Sequence, residues 1–235
     1  MAYSDRTIKN YIELANFYFQ QYMEMPLDDL HVSISSGNDK IGHAWNVSLL
    51  PILTCPNCSE CQKLCYDIRD CIRYGKSEKN NVIKARAKNT AILIRDREKF
   101  FAEINAFMDG YHGKYKMFRY HVGGELKDMD YFREMNNSAV NHPDWQVWSY
   151  TKNYKAVNQF CETFGLDAIA KNLSMMFSEW RGMPLDNPYE FPEFHVVFKD
   201  ETEPKNVWIC PGNCDICKAA KRGCIYHETV YAKEH

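Results

Sequence analysis

Long apolar runs are missing from this chain. No stretch of about eighteen apolar residues occurs, so no membrane-spanning helix is expected. A dominant charge is missing too. The 29 basic and 31 acidic residues leave a formal net charge of −2, which removes a global basic field as an argument for nucleic acid and leaves room only for a local patch. The opening Met1-Ala-Tyr-Ser-Asp-Arg6 lacks the charged-then-apolar pattern of a signal peptide, so a cytoplasmic protein is expected. Internal repeats, low-complexity segments and clear linkers are also lacking. A chain of 235 residues can bury a substantial core, and one α/β domain over 1–235 is expected, with an N-terminal helix and a C-terminal cysteine-rich extension.

What the chain does have is cysteine, ten in all, and only Cys161 stands apart from two clusters. The first reads Cys55-Pro-Asn-Cys58-Ser-Glu-Cys61-Gln-Lys-Leu-Cys65-Tyr66, with Cys71 close behind. The second reads Cys210-Pro-Gly-Asn-Cys214-Asp-Ile-Cys217, followed by Cys224. With no export signal, such tight spacings read as metal ligands rather than disulfides. Thiolates suit zinc or an iron–sulfur cluster. The run Cys55-x2-Cys58-x2-Cys61-x3-Cys65 has the bacterial ferredoxin spacing, with Tyr66 where that run has proline, and so leans to iron–sulfur, including a four-iron cluster. Zinc stays open. In the second group Cys210, Cys214 and Cys217 supply three ligands and Cys224 a fourth; the two groups can also share one centre. His43, His121, His195 and His227 are further candidate ligands.

The rest of the chain alternates. Residues 5–24 have a helical apolar face of Ile8, Ile12, Ala15, Phe19 and Tyr22, stopped by Pro26. His31–Ser35 and Trp45–Leu50 read as short strands, with turn chemistry at Ser36-Gly-Asn-Asp39. Residues 81–110 read as helical, with Lys84, Arg86, Lys88, Arg95 and Arg97 able to touch phosphate but explained more simply as a solvated face. Strands are then expected at 117–121, 145–150, 172–177, 193–198 and 206–209, and helices at 129–137 and 156–164, the last stopped by Gly165. This alternation predicts a mostly parallel sheet in a partial (β/α) barrel carrying two cysteine-rich metal-binding segments. In such folds the loops that follow strands share one face, where ligand sites collect. The first cysteine group, Gly123-Gly124-Glu125, Thr151-Lys152, Ser178-Glu179 and Cys210 all follow expected strands. The paired glycines let backbone approach a ligand closely, and the carboxylate of Glu125 suits an amine.

The sequence resembles a phage and mobile-element family, the gene product eighty-eight family. The residues that carry this are Asn46-Val-Ser-Leu-Leu-Pro51, Thr54-Cys55-Pro56, Glu60-Cys61-x3-Cys65-Tyr66, Phe118-Arg-Tyr-His121 running into Gly123-Gly124-Glu125, Tyr150-Thr-Lys152, and Cys210-Pro211 with Cys214 and Cys217. They span about Ser33 to Cys224. The family pattern usually has Gly-Asp at Gly124-Glu125, and Cys58 and Cys71 look like additions. More distantly, the order of a cysteine loop after one strand and Gly-Gly-Glu after the next is similar to radical S-adenosylmethionine enzymes. Their usual spacing is reversed at Cys58-x2-Cys61-x3-Cys65 and occurs instead in the C-terminal group. The resemblance implies a cluster on Cys55, Cys61 and Cys65, S-adenosylmethionine held through Glu125, and a carboxylate or phosphate held by Lys152. The other expectation is a metal-stabilised nucleic-acid-binding or regulatory protein without catalysis, in which Trp45, Trp148, Trp180 or Trp208 stacks on bases. The partner is thus a small molecule or a nucleic acid, with no membrane role.

Overall fold

The structure is a computed structural model that describes residues 2–37, 40–56, 58 and 61–234. Glu60 of the family motif and Asn38-Asp39 of the expected turn lie outside the described residues. The chain gathers into two compact units: residues 1–34, 47–111 and 121–125, and residues 35–46, 112–120 and 126–235.

The first unit is helical. Helix α1 (Asp5–Glu24) starts at Ser4, whose hydroxyl accepts from Thr7 N at 3.2 Å. Its buried face is Ile8, Tyr11, Leu14, Ala15 and Tyr18, packed with Ile68, Ile83 and Ala87. That face is turned from the expected one, and Ile12, Phe19 and Tyr22 lie at its margin. Tyr11 takes the centre because its hydroxyl has a partner there, donating to Pro51 O at 2.7 Å. Helix α2 (Tyr66–Ile72) follows the first cysteines. The helical stretch from Asn81 is two helices, α3 (Asn81–Arg95) and α4 (Arg97–Gly110). Asp96 breaks it with an extended φ of −154°, and its side chain caps α4 by accepting from Lys99 N at 2.8 Å.

The expected strand at 31–35 is reduced to a single antiparallel bridge from Ser35 to Asn46. Val32 N donates to Glu103 Oε2 at 2.6 Å and Ser33 N to Asn89 Oδ1 at 2.7 Å, so side chains of α3 and α4 take the backbone groups a ladder would need.

The chain forms a six-stranded sheet, all of it but Val47 in the second unit: β1 (Trp45–Val47), β2 (Met117–Tyr120), β3 (Gln146–Thr151), β4 (Leu173–Ser178), β5 (Glu193–Val197) and β6 (Val230–Lys233). Its order is the chain order, β1-β2-β3-β4-β5-β6. The strands run parallel, with Phe118 opposite Val147, Val147 opposite Leu173, Phe177 opposite Glu193 and Phe194 opposite Val230. Helices α5 (Met129–Asn141) and α6 (Tyr154–Phe164) link β2 to β3 and β3 to β4. Asp128 caps α5 by accepting from Tyr131 N at 2.8 Å, and Gly165, at φ 87°, ends α6 as expected. Every residue of β4 is buried, as in a parallel strand covered on both faces.

The α/β class and parallel sheet therefore stand. Among the described residues the strands pair in succession from β1 to β6 with no pairing of β6 to β1, so the expected partial barrel is not shown. The expected strand at 206–209 is a single bridge from Ile209 to Tyr231, because Asn206 turns left-handed at φ 61°. Helix α7 (Cys214–Ala220) and strand β6 were not legible beforehand. Among the described residues no helix is long and apolar enough to cross a membrane.

Candidate functional site

Within the first unit, the loop after β1 and the Gly123-Gly124-Glu125 segment are stitched together by backbone. Leu49 N donates to Gly123 O at 2.9 Å, and Ser48 Oγ accepts from Val122 N and Gly123 N at 3.2 and 3.3 Å. The chain then turns tightly. Ile52 is left-handed at φ 67°, Thr54 donates to Leu50 O through both N and Oγ1, and Cys55 N donates to Ile52 O at 3.2 Å. This turn delivers Cys55 to the neighbourhood of Glu125. Burial pushes the Cys55 thiol well above its usual range; the Glu125 carboxylate adds to this, and the nearby Cys65 and Cys61 sulfurs add less. Cys61 precedes a short 3-10 turn at Gln62–Leu64, and Cys65 stands at the start of α2. Burial, then the neighbouring Asp67, raises the Cys65 thiol from 9.0 to about 11; the Cys61 sulfur adds least. Cys55, Cys61 and Cys65 thus lie within electrostatic reach of one another, and Cys55 also of Glu125. Cys58 is peripheral: its thiol is raised by burial and then by Cys61 alone.

Behind this loop lies a buried ion pair. Asp67 of α2 is 1% exposed and Arg86 of α3 is 8% exposed, and the guanidinium meets the carboxylate directly. Burial works against the charge on Arg86, and Asp67, followed by Cys71, more than restores it. Arg86 Nη1 also donates to Cys71 Sγ at 3.3 Å. Arg86 is therefore not on a solvated face. Of the other basic residues in this stretch, Arg95 donates to Tyr22 O and Met25 O at 3.1 and 2.7 Å, and Lys84 pairs with Glu78 at 3.0 Å.

The paired glycines have a packing reason within the chain itself. A Cβ on Gly123 would stand 1.9 Å from Asp67 Oδ2. Gly124 has φ +85°, and a Cβ there would stand 2.7 Å from Leu49 Cβ and 2.9 Å from Thr54 Oγ1. The close approach is thus to the chain's own Asp67 and Leu49. His121, buried and left-handed at φ 46°, turns the chain out of β2 just before, and Tyr66 Oη donates to Val122 O at 2.6 Å. Gly123→Ala should force the Asp67 carboxylate aside and cost on the order of 2 kcal/mol in stability. A thermal melt indistinguishable from that of the parent would contradict this packing.

In the second unit Cys210, Cys214, Cys217 and Cys224 also gather. Among the described residues no three His, Cys, Asp or Glu side chains have ligand atoms in the arrangement of a metal site, so each group is a thiol neighbourhood rather than a finished coordination sphere. Two candidate histidines pair with carboxylates rather than with cysteine. His43 Nδ1 lies 2.7 Å from Asp215 Oδ2, and His195 bridges Glu179 and Glu193. His227 is exposed.

The pattern of the gene product 88 family matches residues 25–208 of the 235. The chain belongs to the gene product 88 family. Comparison with curated proteins returns no match, and comparison with solved structures returns none. The matched range of the gene product 88 family contains Cys55, Cys61, Cys65, Asp67, Arg86 and Glu125. It stops two residues before Cys210, so the second cysteine group lies beyond the matched range although the sequence resemblance was carried in part by Cys210, Cys214 and Cys217.

Thr151 and Lys152 belong to the second unit. Thr151 is buried, and its hydroxyl accepts from Asn153 N at 2.8 Å; Lys152 Nζ lies 5.4 Å from the centre of the Trp180 ring. Both are thus engaged locally. Trp148 is fully buried, which removes it as a base-stacking platform; Trp45, Trp180 and Trp208 are half-buried. The residues missed from sequence are Asp67 and Arg86. The available signal was position: Arg86 recurs with Ile83, Ala87 and Thr90 on the buried face of α3.

Proposed function

We propose that the protein is an iron–sulfur protein in which Cys55, Cys61 and Cys65 hold the cluster and Glu125 receives the ammonium of an amino-acid-bearing small molecule such as S-adenosylmethionine. The observation that carries this reading is the environment of Cys55, which feels Cys61, Cys65 and the carboxylate of the Gly-Gly-Glu segment together. The donor chemistry supports the reading: three soft sulfurs, and near Cys55 a carboxylate that is 7% exposed. A cluster held there would supply an electron to the bound sulfonium compound. The chain's own part is to hold and orient. Asp67 and Leu49 fix Gly123 and Gly124, and those glycines place Glu125. Raised thiol pKa values mean that the ligands must shed protons as metal binds, so metal affinity should rise with pH. Thiol ligation of this kind belongs to a reducing compartment, consistent with a cytoplasmic location.

Anaerobic reconstitution with iron and sulfide tests the assignment. Cys61→Ala and Cys65→Ala should each lose most of the iron and the visible absorption of the cluster. Cys161→Ala should lose neither, because that residue is buried on α6, outside both cysteine groups. Equal iron content in all three variants would overturn the ligand assignment. A zinc-only protein that binds single-stranded nucleic acid, with no iron taken up, would favour the non-catalytic alternative.

A further inference from the structure

We infer that His43, Lys114 and Lys218, gathered on the Tyr115 ring in the second unit, form a binding site for the phosphate group of a small phosphate monoester. The site begins with a clamp between two segments far apart in the chain. Cys214 N donates to Lys40 O at 3.1 Å, which brings the start of α7 against the residues before β1. Asp215 then takes hold of His43 twice. His43 N donates to Asp215 Oδ1 at 3.3 Å, and His43 Nδ1 lies 2.7 Å from Asp215 Oδ2. Gly42, left-handed at φ 60°, makes the room: a Cβ there would stand 2.3 Å from Asp215 Oδ2. Asn213 Oδ1 accepts from Asp215 N at 2.8 Å and fixes the aspartate from its own backbone.

This clamp orients the imidazole. A carboxylate can only accept, so Nδ1 carries the hydrogen between them, and Nε2 is the ring atom left to meet a ligand. The ring also lies flat on Tyr115, with centres 4.3 Å apart and planes 11° from parallel. His43 is thus held along one edge by Asp215 and on one face by Tyr115, yet its side chain stays 61% exposed. A side chain held in this way has little freedom left to lose when a ligand binds.

Two ammonium groups approach the same tyrosine. Lys218 Nζ lies 5.0 Å and Lys114 Nζ 5.5 Å from the centre of the Tyr115 ring. Among the described residues neither lysine forms a salt bridge, whereas Lys116 pairs with Asp144 and Lys233 with Glu203. Both oxygens of Asp215 are engaged by His43. Two like charges beside one ring repel, and the attraction of each to an exposed tyrosine face is modest. An anion shared by both ammoniums offsets that repulsion.

Charge and shape select the ligand. Two ammoniums against one carboxylate leave an excess of positive charge, which suits a phosphate dianion, and lysine serves as a point charge for phosphate. A monoester presents three terminal oxygens, one for each lysine and one for Nε2, where a diester presents two. One proton is shared between Nε2 and the third oxygen, and no bond to phosphorus forms or breaks. The site lies wholly within the second unit, apart from Cys55, Cys61, Cys65 and Glu125 of the first. The iron–sulfur reading can therefore fail without touching it.

The test titrates the full chain, in phosphate-free buffer, with inorganic phosphate and with glycerol phosphate. Calorimetry measures affinity, and the ring-nitrogen signals of isotope-labelled histidine report the place. Both ligands should bind saturably, one per chain, and should move the ring signals that disappear in His43→Gln. Affinity should fall at least about tenfold in His43→Gln, and likewise in Lys114→Gln with Lys218→Gln. Lys155→Gln, at an exposed position of α6, should bind as the parent does. Lack of saturable binding at millimolar phosphate would overturn the site. So would unchanged affinity in the His43 or the double lysine variant, or an equal loss in Lys155→Gln. A single-stranded oligonucleotide without terminal phosphates that binds as tightly as glycerol phosphate would overturn the monoester assignment. Should a variant fail to fold, the wild-type signals decide: saturable binding that leaves the His43 ring unmoved places the phosphate elsewhere.

Discussion

Glu125→Gln is expected to weaken binding of S-adenosylmethionine by well over tenfold while leaving the cluster and the fold in place. Glu125 is 7% exposed, so an ammonium meeting it would exchange water for a nearly dry carboxylate. Removing one partner of a desolvated charge pair typically costs about 2–5 kcal/mol, and about 1.4 kcal/mol is tenfold. The substitution keeps the shape of the side chain and removes its charge, so the loss reports charge recognition. A second readout is independent of ligand. The Glu125 carboxylate is the second largest contributor to the raised Cys55 thiol, after burial, so its neutralisation should lower that pKa and speed alkylation of Cys55 at mildly alkaline pH. Calorimetric titration of the anaerobically reconstituted protein measures the first effect. Wild-type protein that carries its cluster and yet binds no S-adenosylmethionine would remove the proposed ligand, and unchanged affinity in Glu125→Gln would remove the role of the carboxylate.

The largest expected effect on stability is at Arg86. Arg86→Met leaves the Asp67 carboxylate, 1% exposed, without its cationic partner. Breaking a buried ion pair from one side costs about 3–5 kcal/mol, because the remaining charge is stranded. For a chain of this size that should lower Tm by roughly 10 °C. Asp67→Asn added to Arg86→Met should recover much of the loss, so the two substitutions should be strongly non-additive. Thermal unfolding of the single and double variants measures this. A single variant within about 1 kcal/mol of the parent, or simple additivity, would show that the pair does not support the Gly123 turn as described. Asp67 presses on Gly123 and neighbours Cys65, so the same variant should also broaden the reactivity of the first cysteine group.

Family membership gives these predictions their reach. The residues of the first group and its buried ion pair fall inside the range shared with the gene product 88 family, whereas Cys210, Cys214, Cys217 and Cys224 fall past residue 208.

The sequence by itself determined the alternation of strands and helices, the extent of α1, the stop at Gly165 and the grouping of nine cysteines, because these rest on local periodicity, capping and spacing. Asp96 is legible in the same way, as a cap that divides the helical stretch from Asn81 into two helices. Tertiary structure alone decided three matters. Arg86 is internal because Asp67, nineteen positions earlier, offers a buried counter-charge that no local pattern announces. Segment 31–35 carries a strand pattern and yet keeps only a bridge at Ser35, because Glu103 and Asn89 take the backbone N–H groups of Val32 and Ser33. The two glycines before Glu125 are required by contact with Asp67 and Leu49, and such contact depends on what the fold brings against the backbone rather than on the residues beside it.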